Sequence, residues 1–80
     1  MSDVVKSADI EWYVIQRVKE LREKKGFSQE AFADRLGCSS GYIGQVESKK
    51  FRAKYNLKRL NEIARVLDCS PKDFLPEDPL

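Results

Sequence analysis

Eighty residues with fifteen Lys or Arg against thirteen Asp or Glu, a net charge of +2, bound the chain to one small core. No apolar run approaches the ~20 residues needed to span a bilayer, and "MSDVVKSADI" lacks the basic-then-apolar layout of a secretory signal, so no membrane partner and a cytoplasmic location are expected. Histidine is absent and Cys38 and Cys69 lie far apart in sequence, so no zinc set or Cys and His catalytic pair can be assembled; no metal or cofactor is expected, and the thiols read as reduced and buried.

From Trp12 to Lys25, Val14, Val18 and Leu21 recur at spacings of four and three, with Ile15 beside them and charges on the other face, which predicts an amphipathic helix. Gly26 is placed to end it as a left-handed cap, after Lys24 and Lys25 in the last turn, and Phe27 is expected to turn into the core. Ser28 caps a second short helix with Phe32, Ala33 and Leu36 inside, and Gly37 stops it. Ser39 caps a third, with Ile43 and Val46 facing inward.

"SKKFRAKYN" has no clear period and reads as a basic loop. Asn56 is the expected cap of a fourth helix, whose stripe of Leu57, Leu60, Ile63, Ala64 and Leu67 is the clearest in the chain. "SPKDFL" supplies a Ser70 cap, Pro71 at the first helical position and Asp73 at the third, a start signal for a fifth short helix that Pro76 and Pro79 end. The fold expected is all-α, a compact five-helix domain over residues 11–75, with an N-terminal extension over 1–10 and a tail over 76–80. "RLGCS" and "VLDCS" echo one another as helix ends followed by a serine cap, an echo too short for a repeat architecture.

The charge is polarised along the chain. From Glu47 to Arg65 seven basic residues stand against two acidic ones, whereas Asp68 to Leu80 carries four acids against Lys72. Residues 28–37 and 39–48, two short helices joined by a glycine-containing turn, form a helix-turn-helix pattern.

These features together, "VIQRVKELREKKGFSQEAFADRLGCSSGYIGQVES" followed by "LKRLNEIARVLDCSPKDFL", resemble the Cro and phage-repressor (XRE) family of helix-turn-helix DNA-binding domains, over about residues 14–75. The resemblance implies a repressor-like, sequence-specific regulator that binds a double-stranded DNA operator as a homodimer. It sets the third helix in the major groove, with Ser40, Gly41, Gly44 and Gln45 at the bases. Gln45 is the best reader among them, because its amide donates and accepts at once and so matches adenine N6 and N7. Phosphate contacts would come from Gln29, Ser39, Tyr42, Lys49, Lys50, Arg52 and Lys54, and Arg22 would pair with Glu47 to join helix one to helix three. Each has a plainer reading: two solvated charges for Arg22 and Glu47, an ordinary first-turn residue for Gln29, a partly buried core tyrosine for Tyr42, a solvated surface for the basic loop.

The sequence departs from the family pattern after Glu47. Lys49 stands where the family carries glycine, no proline follows, and the loop is longer, with Phe51 and Tyr55 available to anchor it. Gly41 and Gly44 also spell the GxxG of KH domains, but no strand pattern flanks them. An enzyme has no carrier of acid, base or nucleophile here. The serious rival is an antitoxin-type protein-interaction module that binds a toxin partner and autoregulates its operon. Dimer contacts are expected from Phe74 and Leu75 or from Val4, Val5, Ile10 and Trp12, unless these simply close the monomer core.

Overall fold

A computed structural model describes residues 9–80, and all regular structure among them is helical. Four α-helices follow in order: α1 (Ile10–Lys24), α2 (Gln29–Leu36), α3 (Ser40–Val46) and α4 (Leu57–Leu67). A single 3-10 turn, Pro71–Phe74, stands where a fifth α-helix was expected. Its capping box is present, with Ser70 and Asp73 each bonding the other's backbone, but four residues are all the chain allows. Pro76 drives the preceding Leu75 into extended backbone, and the helix cannot continue.

Each start is fixed by a side-chain oxygen that accepts an otherwise unpaired backbone N–H: Asp9 for α1, Ser28 for α2, Ser39 for α3 and Asn56 for α4. The Asp9 cap starts α1 two residues before Trp12, where the apolar period begins.

The ends share one device. Gly26, Gly37 and Asp68 all adopt left-handed backbone, and the residue after each donates to the carbonyl five positions back: Phe27 to Arg22, Cys38 to Ala33, Cys69 to Ala64. This explains the echo between "RLGCS" and "VLDCS", in which Cys38 and Cys69 are the residues that close the helix end before a serine opens the next. Both thiols are free and half-buried against the core. Burial, with the Asp73 carboxylate next in weight, pushes the Cys69 thiol up.

The core is one cluster: Val14, Ile15 and Val18 from α1, Phe32 and Ala33 from α2, Ile43 and Val46 from α3, and Leu60, Ile63, Ala64 and Leu67 from α4. Phe74 closes it at 0% exposure, so of its two readings, dimer contact or closure of the monomer core, it takes the second and holds the 3-10 turn against α1 and α4. Removing that ring would cost about 3–5 kcal/mol. Leu57 departs from its stripe in the other direction. It overhangs the first turn of α4 and is 84% exposed.

Candidate nucleic-acid interface

α2 and α3 are separated by three residues, and their packing is the most extensive between any two helices described. Burial of Ile43 and Val46 leaves Ser39, Ser40, Gly41 and Gln45 exposed on the other side of α3, with Gly44 partly so. Ser40 and Gly44, like Gly41 and Gln45, are four apart and share a face. Both glycines have ordinary helical backbone. A Cβ added at Gly41 would meet only Ser39 Oγ at 3.9 Å, and one at Gly44 only Gln29 Oε1 at 3.5 Å. The fold therefore demands neither glycine, and both keep the outer surface of α3 low.

Beneath this face lies a buried polar network. Arg22 donates through Nε to Glu47 Oε2 and through Nη2 to Glu47 Oε1, both at 2.9 Å, and through Nη1 to the Phe27 carbonyl at 2.6 Å. The two side chains are only 6% and 3% exposed, so they are not a pair of solvated charges. Glu47 Oε1 also accepts from Gln29 Nε2 at 3.0 Å. One carboxylate thus links the end of α1, the first turn of α2 and the end of α3. The remaining amide hydrogen of Gln29 is left on the exposed side of α2.

The basic segment after α3 is held at two places. Tyr42 Oη donates to the Lys54 carbonyl at 2.9 Å, and its ring meets Tyr55 edge to face with centroids 6.1 Å apart. The guanidinium of Arg59, which also bonds the Leu36 carbonyl and Glu62, lies 5.7 Å from the Tyr42 ring centre. Tyr42 is therefore partly buried, as in the plainer reading, with its one proton given to the Lys54 carbonyl. Tyr55 anchors the loop and Phe51, nearly half exposed, does not. The Tyr55 hydroxyl is buried without a partner, and burial, then the Glu47 carboxylate, raises its pKa above the ordinary 10.0.

At the second place, Lys49 Nζ sits 5.2 Å from the centre of the Trp12 ring, tying the loop to α1. Trp12 is accordingly half-buried beneath a lysine. Lys50 and Arg52 are exposed, and Lys54 is half-buried at the Tyr42 contact. Of the other expected dimer residues, Ile10 and Leu75 are exposed, whereas Val4 and Val5 lie outside the described residues.

A helix-turn-helix family model matches residues 18–74. The chain belongs to the helix-turn-helix family of Cro and phage-repressor type. Among curated proteins it is 29% identical over 62 residues to the HTH-type transcriptional regulator SinR of Bacillus subtilis (strain 168), a match covering 78% of this chain and 55% of SinR. It thus spans about half the length of that relative. Among solved structures, the restriction-modification controller protein C.AhdI from Aeromonas hydrophila superposes with a TM-score of 0.68 at 33% identity, over 79% of this chain and 92% of C.AhdI. SinR has also been solved in complex with DNA, and that chain matches with a TM-score of 0.67 at 26% identity, over 76% of this chain and 95% of the other. Hydroxypropylphosphonic acid epoxidase from S. wedmorenis shares the fold alone, with a TM-score of 0.74 at 23% identity, over 86% of this chain and 36% of the enzyme. The family is one of DNA-binding transcription regulators, and none of the chain's described helices is long and apolar enough to cross a membrane.

Proposed function

We propose that the protein is a repressor-like, sequence-specific regulator that binds operator DNA as a homodimer in the cytoplasm, with α3 as the recognition helix in the major groove. The observation that carries this reading is the single outer strip of α3, where Ser40, Gly41, Gly44 and Gln45 lie next to the first turn of α2 and are followed directly by Lys49, Lys50 and Arg52. Small residues on that strip let the helix backbone approach the bases closely, and Gln45 is the one long side chain on it able to match a base edge bidentately. Ser40 bonds to almost any base and discriminates less, so sequence-dependent DNA shape supplies part of the specificity.

The phosphate set carries the affinity. Gln29, Ser39, Lys50 and Arg52 are exposed around the strip, and Lys49 reaches the backbone by leaving the Trp12 ring. Each cation that neutralises a phosphate releases a counterion, so affinity falls steeply with salt. SinR and C.AhdI, regulators by their names, and the DNA complex of SinR support DNA as the ligand.

Gel-shift titration against the DNA upstream of its own coding region, at two salt concentrations, tests the proposal. The expected result is tight binding that weakens with salt and loses base preference in Gln45→Ala. Binding that ignores both salt and Gln45→Ala would overturn it.

A further inference from the structure

The exposure of Leu57 is unusual in a specific way, because this side chain lines a hollow while standing almost entirely in solvent. Leu57, Ile10 and Leu75 are 84%, 43% and 48% exposed, and they line a hollow of about 300 Å³ whose floor is Val14, Ile15 and Leu60. Three large apolar side chains converging on one depression differ from the scattered apolar residues of an ordinary surface. A knob and a hollow on the same face are also what a twofold interface requires, since the same patch must be complementary to itself.

The charges agree with that symmetry. Glu11 on α1 and Lys54 on the loop before α4 both line the hollow, and neither is in an ion pair among the described residues. In a twofold arrangement that sets Glu11 of each copy against Lys54 of the other, two equivalent pairs would form. Lys54 is also the residue whose carbonyl holds Tyr42 of α3, so an interface here fixes the orientation of the two recognition helices relative to one another. Two helices fixed in this way can meet successive major grooves about 34 Å apart.

We infer that this face is where two copies of the chain associate: Leu57 of one copy enters the hollow of the other, and Glu11 pairs with Lys54 across the axis. The inference rests on the homodimer reading above, and its test is made without DNA so that the two fail separately. Sedimentation of the 80-residue chain over a range of concentrations is expected to show a reversible dimer. Leu57→Glu should weaken association by about 30-fold or more, as truncation of a central apolar anchor does, and as a surface change it leaves the monomer folded. Glu11→Lys and Lys54→Glu should each weaken association, and the double variant should restore it. A Leu57→Glu protein that associates like the parent, a parent that stays monomeric, or charge reversals that do not compensate would each overturn the inference. In parallel, Leu57→Glu is expected to bind an isolated half-site as the parent does while losing affinity for a paired site. An isolated half-site that it no longer binds would place Leu57 on the DNA and not at the axis.

Discussion

Tyr42 on α3 gives its only hydroxyl proton to the backbone carbonyl of Lys54, 12 residues further along the chain, and so ties α3 to the basic segment behind it. Tyr42→Phe removes that bond and nothing else. The expected stability loss is about 1 kcal/mol, or a melting temperature lower by about 4–8 °C. Because the tie also positions the segment from Lys49 to Lys54, the slope of log affinity against log salt should become shallower by about one phosphate. An unchanged salt slope with the stability loss present would show that the loop is held by Tyr55 and Trp12 alone.

The buried pair of Arg22 and Glu47 should behave differently from an exposed one. Arg22→Met strands the Glu47 carboxylate in the core and is expected to cost about 3–5 kcal/mol by chemical denaturation. Arg22→Met combined with Glu47→Leu removes both charges and should regain at least half of that loss. DNA binding should not return with it, because Gln29 has lost the acceptor that fixes its amide. Recovery of both properties together would mean that the carboxylate serves the fold alone.

These two contacts also show how far the sequence carried the structure. Caps and apolar spacing were sufficient for α2, α3 and α4, since Ser28, Ser39 and Asn56 act locally and a stripe such as Leu60, Ile63, Ala64 and Leu67 has one way to be buried. Leu57 leaves its stripe, and Phe74 stays open between a dimer contact and the core, because periodicity reports a face and not how far along the helix the core extends: Leu57 lies beyond its edge, while Phe74 reaches back into it. The loop was the least legible part. Whether Tyr42 or Tyr55 is buried, and where Lys49 rests, depends on α1 and α4, which no local pattern near residue 50 describes.

Gly41 and Gly44 make a prediction in which stability and function move in opposite directions. Neither glycine has positive φ, and an added Cβ meets no backbone. Gly41→Ala should therefore stabilise the domain by up to about 1 kcal/mol, the usual difference in helix propensity. The added methyl stands on the strip assigned to the bases, so discrimination between operator and competitor DNA should fall. Gly41→Arg should alter affinity or preference while the domain stays folded. A lower melting temperature in Gly41→Ala would show that the fold needs the glycine after all.

Tyr55 is expected to lower the stability of the domain at alkaline pH. Its hydroxyl is buried without a partner, and its folded pKa is raised above the unfolded value of 10.0, first by burial and then by the Glu47 carboxylate. A group raised in this way leaves stability intact below the unfolded pKa. Above pH 10 the unfolded chain releases the phenolic proton while the folded one retains it, so stability falls as pH rises. Tyr55→Phe keeps the ring against Tyr42 and removes the orphaned hydroxyl, and it should be neutral or stabilising by about 1 kcal/mol near pH 7. Denaturant titrations at pH 7 and above pH 10 should show the variant losing less stability than the parent over that interval. An equal loss in both proteins would assign the alkaline sensitivity to the exposed lysines instead, and a destabilised variant at pH 7 would mean that the hydroxyl has a hydrogen-bond partner in solution.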